Sequence, residues 1–149
     1  MSENKSAKRG AIVRQLAAYF LSLHVDQPID SVRELAGKYQ ASIGLISESI
    51  SALEASGAIA IERHGQHGSL LVNQNPGLLW QSSTSEPLVI AHTLPSNRRY
   101  EGLAGALKRS FRQLGIETYF TFIRGSRTRL KALRAGRCHI AIMSQFATE

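Results

Sequence analysis

Residues 28–72 constrain this chain more than any other stretch, because the start and stop signals of three successive elements stand in register there. Ser31 is followed three positions later by Glu34, the capping-box spacing in which each side chain satisfies the other residue's free amide. Val32, Leu35, Ala36 and Tyr39 then repeat as one apolar stripe. After a break at Gln40 and Ala41, Ser42 offers a second N-cap, and Ile46, Ile50 and Leu53 recur at helical spacing until Gly57 ends the run. Ile59 and Ile61 alternate with Ala60 and Glu62 as in a half-buried strand, Gly65 and Gly68 supply a tight reversal, and residues 69–73 return as the partner strand. Two helices joined by a tight turn and followed by a glycine-tipped ribbon are suited to holding a helix and a ribbon against DNA.

The flanks read in the same way. Ile12, Leu16, Phe20 and Leu23 predict an amphipathic helix over residues 11–25, stopped by Pro28. Residues 73–87 (NQNPGLLWQSSTSEP) turn polar and turn-rich, so the expected organisation is a first domain over 1–73, a linker over 74–86 and a second domain over 87–149. Leu78, Leu79 and Trp80 within that linker read as a packing anchor. Beyond it an apolar strand (88–92), a helix (99–114) with Leu103, Leu107, Phe111 and Leu114 on one face, a β-branched and aromatic strand (116–123), a helix (126–135) and a third strand (138–143) alternate. Strand-helix-strand-helix-strand at these lengths implies right-handed crossovers and a parallel sheet.

Composition narrows the function classes. No apolar run approaches the roughly 20 residues that a spanning helix needs. The polar start with Lys5, Lys8 and Arg9 has no apolar signal core directly behind it, so a cytoplasmic protein with no membrane partner is expected. The single cysteine, Cys138, cannot form an internal disulfide and reads as a small core residue. The net charge of +7 lies in the second half: residues 1–80 hold seven Lys/Arg and seven Asp/Glu, residues 81–149 eleven and four. The excess is therefore not on the segment with DNA-reading architecture.

Catalytic patterns are missing. Cys138 and His139 are neighbours on a strand and point to opposite faces, so they make no nucleophile-base pair. His64 and His67 have a metal-like spacing without further ligands and read as exposed or DNA-proximal. GQHGS lacks the spacing and the Lys-Ser/Thr ending of a phosphate loop. The expectation is no enzyme, no metal and no cofactor.

SVRELA, SALEASGAI and RHGQHGS together resemble the winged helix-turn-helix domain of GntR-type bacterial transcription regulators, in which the second helix enters the major groove and the wing approaches the minor groove. The resemblance implies double-stranded DNA as partner, with Arg33 beside the phosphate backbone and Ser42, Ile43, Gly44, Leu45 and Ser47 toward the bases. Arg63, His64, Gly65 and His67 would belong to the wing. The family commonly has arginines where this chain has Ile43 and Ser47, and arginine to guanine is the commonest specific contact. Either weak binding that needs two subunits, or an unusual sequence preference, is expected; a homodimer would present two reading helices to a palindromic site.

Residues 87–145 resemble the first lobe of a periplasmic-binding-protein-like ligand domain. RRYEGLAGALKRSF, a strand ending in RGS, RLKALRAGR and a strand ending in IAIMS together look most like YhfZ-type regulators, which join a GntR-like winged helix to such a domain. The fold expected is thus an α+β winged helix-turn-helix followed by a partial α/β parallel-sheet lobe. In open parallel sheets ligands sit outside the carboxyl ends of the strands. Those ends hold Ser96 and Asn97, then Arg124, Gly125, Ser126 and Arg127, then Ser144, and the helix starts and arginines there suit a small anionic effector. The competing reading makes the serines and Asn97 helix caps and the arginines solvated. Arg127, Lys131 and Arg134 share one helix face, either solvated or facing DNA or another subunit. A complete ligand domain of this kind needs two lobes, so a fragment of a longer regulator or a product with half a cleft is expected, with an exposed sheet edge that favours oligomers. The two functional readings are a DNA-binding transcriptional regulator that senses an effector, and a small-molecule-binding protein whose winged helix makes protein contacts.

Overall fold

Nothing among residues 2–10 breaks a helix, since a lone glycine costs only about 1 kcal/mol, and α1 accordingly runs over Ser2–Ser22 rather than from residue 11. The computed structural model describes residues 2–65, 68–94 and 98–143. They divide into two units, Met1–Ser85 and Glu86–Glu149.

In the first unit α1 is followed by α2 (Val32–Lys38), α3 (Ile43–Ala55), the strands β1 (Ile59–Arg63) and β2 (Ser69–Gln74), and α4 (Pro76–Ser83). Leu16 and Phe20 of α1, Leu35 of α2, Ile46 and Leu53 of α3, Leu71 of β2 and Leu79 of α4 are fully buried and make one core. β1 and β2 pair antiparallel, with the register shifting between Ala60 and Ile61. Residues ahead of α2 are tied to the same ribbon. Asp26 N donates to Leu71 O at 2.7 Å, Leu71 N to Gln27 O at 3.0 Å, and Ile29 N to Ser69 O at 2.9 Å. Pro28 therefore does more than end a helix: it bridges Leu70 of β2. The Tyr19 phenol accepts from Asp30 N at 2.8 Å, and burial pushes its pKa up.

The stretch expected as a linker holds α4, capped by Asn75 Oδ1 accepting from Leu78 N at 3.1 Å and opened by Pro76. It packs on α1, because Leu79 has an apolar site waiting there that outweighs the turn-like composition around it.

The second unit is a three-stranded parallel sheet of β3 (Leu88–His92), β4 (Thr118–Phe122) and β5 (Ile140–Ala141), in the order β4-β3-β5. Helix α5 (Arg98–Gln113) connects β3 to β4, and α6 (Ser126–Arg134) connects β4 to β5. Ala132 of α6 packs with Ala91 and with Cys138, which is in the core as expected. Tyr100 of α5 meets His92 edge-on, at 5.5 Å between ring centres. Ala91 and His92 are successive on β3 and point to opposite faces, so the two helices lie on opposite faces of the sheet. Leu103 of α5 and Leu114 just past its end, expected on an inward face, are both exposed.

The capping box on α2 is formed as expected: Ser31 Oγ accepts from Glu34 N at 3.3 Å, and Ser31 N donates to Glu34 Oε2 at 2.7 Å. The Ser31 hydroxyl, and then its amide, hold the Glu34 carboxyl below its ordinary value of 4.5. This stabilisation is complete above the ordinary carboxylate pKa and is lost as pH falls through the lower folded value. Ser31→Ala is expected to cost about 1 kcal/mol in urea unfolding near neutral pH. The gap between variant and wild type should narrow when the titration is repeated in acid; an unchanged midpoint at neutral pH would contradict the capping role.

Candidate nucleic-acid interface

The turn between α2 and α3 is set by backbone geometry. Gln40 takes a positive φ of 50°, and Ala41 N returns to Ala36 O at 3.0 Å, which ends α2 and frees Ser42 to start α3. Ser42 Oγ accepts from Leu45 N at 3.3 Å. On α3, Ile46, Ser49, Ile50 and Leu53 are buried, with Ser49 Oγ donating to Leu45 O at 2.7 Å. The outer side carries Ile43, Gly44, Ser47, Glu48, Ser51 and Ala55, all exposed.

Of the residues expected to face DNA, Ser42, Ile43, Gly44 and Ser47 are exposed on the first two turns of α3, and Arg33 is exposed on α2. Arg33 makes no ion pair or side-chain hydrogen bond among the described residues. Leu45 differs from expectation: it is half-buried and packs against the core, because it lies on the flank that meets the rest of the domain. Arg63 also differs, since it does not extend from the ribbon as a free cation. Its Nη1 and Nη2 donate to Glu54 Oε1 and Oε2 at 3.1 and 2.6 Å, joining β1 to the end of α3. Those bonds raise the Arg63 pKa further above its ordinary value. His64 is exposed, with Nε2 3.7 Å from Glu62 Oε1, and Gly65 sits at the ribbon tip with φ 60°. His67 lies outside the described residues.

Between the start of α2, the middle of α3 and the ribbon runs an open groove of about 570 Å³, lined in part by Asp30, Glu34, Ser47, Ser51 and Arg63. Over residues 28–74 the acidic side chains are Asp30, Glu34, Glu48, Glu54 and Glu62, against Arg33, Lys38 and Arg63. Lys38 is drawn toward Asp30 at 3.7 Å and lies 4.8 Å from the Tyr19 ring centre. Besides Arg33, exposed positive charge in this unit is found on α1, at Lys8, Arg9 and Arg14.

The second unit gathers polar groups where its strands end. Arg129 of α6 is buried and was not anticipated: its Nη1 donates to Ile123 O at 2.7 Å, its Nε to Ile142 O at 2.9 Å and its Nη2 to Ser126 Oγ at 3.0 Å. The signal was its spacing, since Arg129 is three positions before Ala132 and so shares the helix's inner face. Ser126 thus neither caps α6 nor stands free; Gly125, with φ 83°, is the N-cap, and no side chain caps the helix. Arg124 and Arg127 are exposed, as are Lys131 and Arg134. Ser96, Asn97 and Ser144 lie outside the described residues. His92 is fully buried, with Nδ1 against Thr93 O. Among the described residues no group of three His, Cys, Asp or Glu side chains could hold a metal ion.

Comparison with known proteins follows these divisions. Residues 27–71 match a helix-turn-helix domain family, a span that holds α2, α3, β1 and the first half of β2. Residues 76–149 match the YhfZ C-terminal domain family. That match begins at α4, which in the structure packs on α1. The chain is 37% identical over 142 residues to an Escherichia coli (strain K12) protein bearing the name Uncharacterized protein YhfZ, with 95% of this chain and 46% of that protein aligned. The chain thus spans about half the length of this relative. No solved structure matches it. No helix among the described residues is long and apolar enough to cross a membrane. The chain is therefore similar along nearly its whole length to YhfZ-type helix-turn-helix proteins, with a mixed α/β region built on a parallel sheet behind its helix-turn-helix domain.

Proposed function

We propose that this chain binds double-stranded DNA as a transcriptional regulator in the cytoplasm. In this reading the first unit is a winged helix-turn-helix of GntR type, with α3 in the major groove and the ribbon as its wing. The observation that carries it is the outer side of α3: a helix capped at Ser42, exposed over Ile43, Gly44 and Ser47 and flanked by a ribbon, within the span that matches a helix-turn-helix domain. Small side chains there permit close approach to base edges, and Ile43 offers an apolar contact for thymine methyls. Two copies related by a two-fold axis would meet a palindromic site, which compensates for the scarcity of positive charge near α3.

The test is fluorescence anisotropy with a duplex taken from the DNA upstream of the protein's own gene. Sequence-selective binding is expected, weakening with salt at a slope near −0.9 per phosphate contacted. Retention independent of ionic strength would sink the phosphate contacts. No retention at low salt would leave α3 as a surface for protein contacts.

The second unit is proposed as a periplasmic-binding-protein-like lobe that senses a small anionic effector and has no catalytic role. Support comes from Arg124 and Arg127 at the end of β4 and from the α6 N-terminus, whose amides have no side-chain cap. Effector binding would reset the spacing of the two reading helices, provided affinity differs between the two states. Calorimetry with candidate anionic metabolites should show affinity falling roughly ten- to a hundred-fold in Arg127→Ala, as expected from the roughly 1.5–3 kcal/mol carried by a charged hydrogen bond; equal affinity counts against the site.

A further inference from the structure

We propose that Glu48 selects a C·G base pair in the DNA that α3 reads, an inference that rests on the DNA-binding reading above. Residues along an α-helix advance by roughly 100° each. The buried Ile46, Ser49, Ile50 and Leu53 therefore mark the inner face of α3, and Gly44, Glu48, Ser51 and Ala55 stand opposite them, all exposed. Glu48 is in the middle of that outer face, one turn beyond Gly44.

Its neighbours do not use it. Glu34 is held by Ser31, Glu54 by Arg63, and Glu62 faces His64. Among the described residues the Glu48 carboxylate has neither an ion pair nor a hydrogen bond. Gly44 is equally unexplained from within, since a Cβ built on it meets nothing within 4 Å. A glycine in a helix costs about 1 kcal/mol relative to alanine, and an approach from outside the protein accounts for it. Glycine at the first turn lets the helix backbone come close, and the carboxylate one turn later then reaches a base edge.

The chemistry of a carboxylate narrows what that edge can be. It only accepts hydrogen bonds, so the acceptors of guanine (N7, O6) and thymine (O4) repel it, and the N7 of adenine opposes the attraction of N6. Cytosine presents N4–H₂ with no acceptor beside it. Phosphates repel Glu48 too, so its charge lowers affinity for DNA lacking a cytosine at that position, and the discrimination is sharpened by repulsion.

Selection from a randomised duplex pool, with the full chain and with Glu48→Gln and Glu48→Ala, tests this. Wild type should enrich one C·G pair in each half-site, with replacement of that pair weakening binding about tenfold. Glu48→Gln should move the preference at that pair toward adenine, for which glutamine is a bidentate partner. Glu48→Ala should level that position and tighten binding to random duplex, while the other positions stay selected and report an intact fold. If Glu48→Ala enriches the same base at every position as wild type, the proposal is overturned and DNA reading stands. If wild type enriches no sequence, the DNA-binding reading itself falls, and this inference with it.

Discussion

Arg129→Ala is expected to lower the stability of the second unit by roughly 2–4 kcal/mol, because each buried acceptor left unpaired costs about 1–3 kcal/mol. The wild-type guanidinium ties the end of β4 to the end of β5 through Ile123 O and Ile142 O, and its third bond holds Ser126 at the start of α6. These ends belong to different outer strands of the sheet, with β3 between them. Arg129→Met tests the origin of the effect: it keeps much of the apolar contact with the inner face of α6 yet strands the same two carbonyls, so it should remain strongly destabilising. Arg129→Lys should be nearly as harmful, since one ammonium cannot reproduce the fork. Hydrogen exchange reports the consequence directly. The amides of Ile123 and Ile142 donate to His92 O and Ala91 O, so they should lose protection in all three variants while α3 amides keep theirs. Unchanged protection at Ile123 and Ile142 would mean that the arginine does not hold the sheet end together.

Leu79→Ala should cost about 2–5 kcal/mol in the first unit. Leu79 is fully buried in the same core as Leu16 and Phe20, and α4 packs along α1. Had residues 74–86 been a solvated connection, the substitution would fall within about 0.5 kcal/mol of wild type. Trp80, the chain's single tryptophan, stands next to Leu79 and gives a fluorescence signal from α4 itself. Urea unfolding followed at Trp80 and by helical circular dichroism should shift together to lower denaturant. A variant that melts like wild type would detach α4 from the first unit.

Legibility differed from element to element for a physical reason. Ser31 with Glu34, Ser42 ahead of α3, and Gly65 with Gly68 at the ribbon tip each act over three or four residues, so their effects are present in the local sequence. The boundaries of α5 and α6 fell within one residue of those expected from apolar spacing. The parallel sheet followed from the alternation of strands and helices, and β3 does pair parallel with both β4 and β5. Arg63 shows where such reading stops. Glycines and charges around it marked a ribbon tip, but Glu54, nine positions earlier, claims its guanidinium, and nothing in the intervening residues announces the pair. Arg129 stands in the sequence among Arg127, Lys131 and Arg134, which are exposed, and only packing against the strand ends sets it apart from them.

What the sequence determined by itself is the set of elements and their order: two capped helices and a ribbon, then an α/β alternation around a parallel sheet. Caps, turns and periodicities are short-range interactions, and short-range interactions are written in consecutive residues. What only the tertiary structure decided is which charges remain available. Folding ties Arg63 to Glu54 and buries Arg129 against strand ends, while Glu48 stays unpaired on the outer face of α3. Those outcomes depend on distances between residues that are far apart along the chain or on opposite faces of a helix, and only the packed core sets such distances.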